Sequence, residues 1–373
     1  MKKNYISALA VLACVAVFCT ISGNSFHQMR TATEEIIPGE GVTEVRMLSD
    51  YFPDLAGTAG DTQIYVLQGE QEGGSCLILG GTHANELGGH MGAVLFVENA
   101  KVEAGTLYVI PRTNNSAFTH NDPQEGHPST VHITTDEGNV REFIHGSRAT
   151  NPVDQWPDPD VYVNYMGQSL SGSENRNINR TYPGKADGTL TEMMSYGIVQ
   201  LINTENIDVT VDLHEASPEY PVINALIAHE RAMNLASNVV VDMQMEGVQI
   251  SLEPSPTDLR GLTHRELGDT LALLMEAPNP AQGRLRDRTD EALVLTGKSE
   301  TYVKAGEIGQ LYVPYDENGW PIEVRCARHV FGIERILANY SEMYEEPIIV
   351  TGMPSYDELV KNGMGPYLNE PTT

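Results

Sequence analysis

The sequence predicts an α/β layer fold, because strand-like and helix-like segments alternate along most of the chain. Three apolar β-runs, at residues 76–79, 207–213 and 270–275, each stop at groups that can hold a metal or move a proton. These are His83 and Glu86, His214, and Glu276. Ligands of open α/β sheets gather outside the carboxyl ends of strands, so one pocket can hold all four side chains.

Taken in order, the chain opens with Lys2 and Lys3, an apolar run over residues 6–22, and small or polar residues at 22–25. That is a secretory signal pattern over residues 1–25, with an uncleaved N-terminal anchor as the alternative, since the run is marginally short for a span. Either reading predicts export to an extracellular, periplasmic or cell-surface location. The only membrane contact expected is through this segment. Residues 26–42 are polar, contain Pro38 and Gly39, and read as a linker. Strands follow at 42–48 and 62–68, then the 76–79 run, a Gly-Gly turn, and a helix over 87–100. A strand at 107–110 leads into a long polar region, 113–184, with one hairpin at 131–135 and 140–144; a stretch of this kind reads as the rim of a site. Beyond it come a helix (191–203), the 207–213 run, a strand (222–228), a helix (231–246), a strand (248–252) and the 270–275 run. Helices at 289–304 and 322–343 complete one folded domain over 43–344, and 345–373 reads as a Pro- and Gly-punctuated tail.

With 373 residues, 40% hydrophobic and 20% charged, the chain can build a sizeable core. Its formal charge of -28 argues against nucleic acid and anionic membrane surfaces as partners. Cys14 and Cys19 fall in the apolar leader. Cys76 and Cys326 remain as a disulfide or as two buried thiols, and no cysteine spacing suits zinc.

His83-x-x-Glu86 together with His214 offers two imidazoles and a carboxylate. That set leaves one zinc position open, which is the arrangement of a catalytic site, with one Zn2+ per chain. A bound zinc lowers the pKa of water and polarises a carbonyl, and Glu276 can take the water's proton and return it to a leaving nitrogen. Taken singly, each residue has a structural explanation as a helix cap, a loop histidine or a solvated strand end. Their arrival at three strand ends is what argues for chemistry. Asn179 and Arg180, beside Pro183, can clamp a carboxylate through the guanidinium fork.

GGTHANE (80–86), NINRTYP (177–183), VDLHE (211–215) and LALLMEA (271–277) together resemble the zinc carboxypeptidases and their succinylglutamate desuccinylase and aspartoacylase branch, over about residues 60–280. The resemblance implies a three-layer α/β/α fold with a mixed central sheet. It implies metal ligands His83, Glu86 and His214, a substrate carboxylate on Asn179 and Arg180, and Glu276 as general base. It also implies an arginine that polarises the scissile carbonyl, with Arg176, Arg148 and Arg112 as candidates in that order. Two features depart from the family pattern. Asn177 stands where the family has an aspartate supporting a metal-bound histidine, which predicts a less basic ligand. No tyrosine lies between Tyr220 and Tyr302, so Tyr302, Tyr312 or Tyr315 would have to serve from downstream. Asp212 is a candidate support for His214, whereas histidines 120, 127, 132 and 145 read as rim or surface residues.

The expectation is therefore an exported zinc-dependent amide hydrolase that uses metal-activated water and Glu276. Its substrate would be a small molecule or peptide with a free carboxylate, either an N-acyl amino acid or a peptide C-terminus. The alternative is a catalytically impaired zinc- or ligand-binding protein on the same fold.

Overall fold

The computed structural model describes residues 2–121, 127–255 and 269–371. Its elements run α1 (Lys2–Thr31), β1 (Glu44–Met47), β2 (Gln63–Gln68), β3 (Gln71–Leu79), α2 (Leu87–Asn99), β4 (Lys101–Ile110), β5 (Thr130–Thr134), β6 (Val140–Ile144), β7 (Val161–Val163) and β8 (Ser169–Ser171). They continue with α3 (Leu190–Glu205), β9 (Val209–Ala216), β10 (Ala225–Ala228), α4 (Met233–Met245), β11 (Ser251–Pro254), β12 (Leu271–Pro278), α5 (Glu291–Thr296), α6 (Glu300–Glu307), α7 (Ile322–Tyr344), β13 (Ile349–Thr351) and α8 (Tyr356–Asn362).

Nine strands form one sheet in the order β1-β2-β4-β3-β9-β12-β10-β11, with β13 added to the outer part of β4. The central strands β4, β3, β9 and β12 are parallel, and β1, β2, β10 and β13 join antiparallel neighbours, so the sheet is mixed. Side chains alternate across it. Cys76 and Ile78 of β3, with Val209, Val211 and Leu213 of β9, enter the core that carries α2, α4 and α7. Leu77 and Leu79 enter the opposite core, under α3. Helices thus cover both faces, and the three-layer α/β/α architecture with a mixed sheet is the one found.

Several boundaries differ from the sequence reading, each for a physical reason. β9 and β12 do not stop before their polar residues. Their parallel ladder continues through Glu276↔His214 to Pro278↔Ala216, so both candidate side chains lie within strands. The 289–304 helix divides at Gly297, whose φ of +60° ends α5, and Ser299 caps α6. The 113–184 region carries a second hairpin, β7–β8; residues 122–126 of that region lie outside the described ones. The supposed tail is part of the domain: β13 pairs with β4, and Leu359, Met364 and Leu368 are core residues. The supposed linker is fastened too. The Glu34 side chain is buried, with Oε1 2.5 Å from His90 Nε2 and Oε2 accepting from Ile144 N–H at 2.8 Å. Cys76 and Cys326 are buried and unbridged.

Candidate active site

Gly81 makes the turn that delivers the first two candidate ligands. Its φ is +63°, and a Cβ there would strike the Pro111 carbonyl and the Phe118 ring, so only glycine fits. Ala84, between the ligands, is then held by the rim. Its N–H donates to Ser147 O at 2.9 Å, and Gly146 N–H donates to its carbonyl at 3.0 Å. Glu86 occupies the N-cap position of α2 without its side chain capping the helix, because the carboxylate turns toward two histidines. Gly88 and Gly89 let α2 approach β9, since side chains there would strike the Glu215 carboxylate and the Leu213 carbonyl.

His83, Glu86 and His214 are buried, with one ligand atom from each lying within 4.8 Å of the others. Glu86 bridges the imidazoles: Oε1 is 2.6 Å from His83 Nδ1, and Oε2 is 3.0 Å from His214 Nδ1. Oε2 also accepts from Glu215 N–H at 2.9 Å. The outer ring nitrogens have partners of their own. His83 Nε2 is 2.9 Å from Asn177 Oδ1. His214 Nε2 is 2.9 Å from Asp212 Oδ2, an ion-pair contact out of line for a good hydrogen bond. Asp212, wholly buried, also accepts from Thr82 Oγ1 at 2.7 Å.

The network fixes the His83 tautomer. Asn177 Oδ1 also accepts from Asn179 N–H at 3.1 Å, and Asn177 Nδ2 donates to Glu174 Oε2 at 3.0 Å. The amide is therefore oriented with its oxygen toward His83, whose Nε2 must carry the proton. His83 Nδ1 then presents a lone pair to the Glu86 carboxylate. Burial, followed by the nearby Arg148 charge, holds the His83 pKa down at about 4. The Glu86 carboxyl is held well below its usual range: burial opposes ionisation, but the two histidines outweigh it. The buried His83 Nδ1 and Glu86 Oε1, 2.6 Å apart, need a proton or a cation shared between them. The donor set of two imidazoles and one carboxylate suits Zn2+. His214 titrates in the other direction, well above the ordinary histidine range, because Asp212 and Glu86 outweigh the cost of its burial.

One strand over, Glu276 sits in register with His214. It is partly buried, and its Oε2 has no hydrogen-bond partner among the described residues. Burial, reinforced by the Glu86 and Asp212 charges and opposed by His214 and Arg148, pushes its carboxyl up to about 8.

The arginines separate by position. Arg148 reaches the cluster, with Nη1 3.6 Å from Glu86 Oε1 and the side chain 40% exposed. Arg176 is instead paired with Asp158 through Nε at 2.8 Å and Nη2 at 3.0 Å, and its Nη1 donates to Thr150 O. Arg112 is half-buried over the Phe118 ring. Arg180 contacts Glu174 Oε2 through Nε at 3.3 Å, and the buried Asn179 Oδ1 has no hydrogen-bond partner among the described residues. Of the tyrosines, Tyr302 O–H donates to Glu219 at 2.6 Å and Tyr315 O–H to the Gly297 carbonyl. Tyr312 is exposed, and its backbone N–H donates to Pro218 O just beyond β9. His132 is exposed as expected. His127 and His145 are buried as a pair with Nδ1 atoms 3.1 Å apart.

Sequence reasoning missed Glu174 and the buried Glu215–Arg325 pair, whose Nη1–Oε1 distance is 3.0 Å. No local signal marked either, since their roles depend on contacts made after folding.

No protein-family model and no curated protein matches the sequence. Solved structures with a similar fold include a succinylglutamate desuccinylase from a Silicibacter species, at 16% identity and TM-score 0.41, covering 75% of this chain and 61% of that one. Another is the cell shape determinant protein Csd4 of Helicobacter pylori, at 13% identity and TM-score 0.48, covering 81% and 59%. A third is a metallo-carboxypeptidase of Burkholderia cenocepacia, at 11% identity and TM-score 0.46, covering 85% and 68%. The chain spans about three-fifths of the first two. With likeness at this level, the function rests on the chain's own residues.

Proposed function

We propose that the chain is a zinc-dependent amide hydrolase acting on a substrate with a free carboxylate. The observation that carries this reading is the convergence of His83, Glu86 and His214 at two strand ends, with Glu276 in register beside them. A bound Zn2+ would polarise the scissile carbonyl and lower the pKa of a water. His83 and His214 would hold it through Nδ1, with Asn177 and Asp212 orienting the rings from the outer nitrogens. Glu276, with no competing hydrogen bond at Oε2, takes a proton from water and passes it to the leaving nitrogen. Burial raises its pKa, which makes it a stronger base.

Arg148, rather than Arg176, takes the carbonyl-polarising role, because it alone of the three candidates contacts the cluster. Arg180 and Asn179 bind the substrate carboxylate, Arg180 giving up part of its Glu174 contact. Tyr312 is the tyrosine left to close over the substrate, since the hydroxyls of Tyr302 and Tyr315 are engaged.

Stoichiometric zinc together with hydrolysis that His83→Ala abolishes is the expected result. A protein with no bound zinc, whose hydrolysis is unaffected by that change, overturns the proposal. A side-by-side assay of peptides and N-acyl amino acids separates carboxypeptidase from deacylase. The neutral Asn177 behind His83 favours one competing reading, a metal-retaining binding protein without turnover, and any turnover dependent on Glu276 excludes it. Helix α1, which contains an 18-residue window of mean hydropathy 2.3, is long and apolar enough to cross a membrane, which supports export or surface anchoring. Fractionation of cells expressing the full chain tests that.

A further inference from the structure

We infer that Glu174 is a positioning residue that supplies, through the Asn177 amide, the negative charge behind metal ligand His83. The inference rests on the proposed zinc site.

The geometry is a three-member chain. Glu174 Oε2 accepts from Asn177 Nδ2 at 3.0 Å, and Asn177 Oδ1 faces His83 Nε2 at 2.9 Å. An amide is neutral, but it is a strong dipole. A carboxylate on its NH2 end polarises it and makes its oxygen a better acceptor for the imidazole N–H. That in turn makes His83 Nδ1 more basic toward a cation. The arrangement is locked at each step. Glu174 and Arg176 belong to the short helical turn Gly172–Arg176, Asn177 N–H donates to Glu174 O at 3.1 Å, and Asn177 Oδ1 receives the Asn179 N–H. On the ring nitrogen facing away from Glu86, His214 has a buried carboxylate in direct contact, Asp212, whereas His83 has the Asn177 amide and, behind it, Glu174.

The same Glu174 oxygen lies 3.3 Å from Arg180 Nε. Glu174 therefore divides its charge between the proposed substrate-carboxylate site and the metal ligand. A substrate carboxylate that draws Arg180 away leaves Glu174 to act on Asn177 alone, so substrate binding strengthens His83 as a ligand.

The test measures zinc affinity by chelator competition in the native full-length chain, in Glu174→Gln, and in the double variant Glu174→Gln with Asn177→Asp. Glu174→Gln should weaken zinc binding by about tenfold, the low end for partners outside the ligand shell. The double variant exchanges the positions of amide and carboxylate and should restore native affinity or exceed it. Native affinity in a folded Glu174→Gln protein overturns the inference and leaves the hydrolase proposal standing. If Glu174→Gln alone does not fold, the double variant decides, and a folded double variant with weaker zinc binding overturns the inference. A native chain that binds no zinc overturns the hydrolase proposal, and this inference with it.

Discussion

Glu276→Gln is the perturbation that bears most directly on the proposed chemistry. Gln matches Glu in shape, and Glu276 Oε2 has no hydrogen-bond partner among the described residues, so the substitution breaks no recorded contact of that atom. It also removes a carboxyl whose ionisation burial disfavours. Stability should therefore be unchanged or higher, and zinc content unchanged, because Glu276 is not among the three clustered ligand residues. Turnover should fall by about 10²–10⁴, the usual contribution of a positioned general base, or about 3–5 kcal/mol of barrier. The assay is kcat/KM on small N-acyl amino acids and C-terminal peptides, with zinc content and melting temperature measured on the same preparation. In the native protein the rate should rise with pH as the Glu276 carboxyl, whose pKa burial raises, loses its proton, and Glu276→Gln should remove that limb. Native kcat/KM in a folded, zinc-loaded Glu276→Gln protein would refute the assignment.

Arg148→Ala should cost about 10²-fold or more in kcat with little change in stability, as expected for an oxyanion donor on a side chain 40% exposed. Arg176→Ala should do the reverse, lowering stability by about 1–3 kcal/mol through loss of its paired contacts to Asp158 while sparing kcat. Both are read by kinetics and denaturant unfolding. Glu34→Gln should destabilise the domain by about 3 kcal/mol at neutral pH, the low end for breaking a buried pair, because the amide keeps hydrogen bonds. Burial opposes Glu34 ionisation but His90 and Arg112 outweigh it, so its folded pKa lies below 4.5. Its stabilisation is therefore present above pH 4.5 and is lost as pH falls below it, and the gap between native and variant unfolding free energies should close there. Chelation should lower the melting temperature, the loss corresponding to about 2.7 kcal/mol of unfolding free energy relative to zinc at a hundred times its Kd.

What the sequence made legible was the part governed by local pattern. The apolar runs before His83, His214 and Glu276 became the central parallel strands because β-type runs closed by turns and helices have few alternatives. Asp212 was legible in principle: it lies two residues before His214 on the same strand, so a buried His214 implied a buried Asp212 on the same face. The choice of arginine was not legible. Arg148 reaches Glu86 because residues 146 and 147 pair with Ala84, a contact across 62 positions that no spacing announces. Arg176, adjacent to the recognisable NINRTYP segment, looked better placed but is held by Asp158.

The end of β9 shows why the site depends on strand register as well as on ligand identity. Asp212 and His214 lie on the face shared with Glu276, where His214 joins the proposed metal ligands and Asp212 backs its outer nitrogen. Glu215 lies on the opposite face, where Arg325 of α7 holds both its oxygens and Asn279 donates to Oε2 at 3.0 Å. Its backbone N–H nevertheless donates to Glu86. A slip of one residue would exchange the two faces, placing His214 against Arg325 and Glu215 against the cluster. The buried Glu215–Arg325 pair makes that slip costly, because either charge left alone in the core would be unsatisfied. The adjacent His-Glu at 214–215 thus has two different roles under the proposal: His214 is the metal ligand, and Glu215 fixes the register that puts it there.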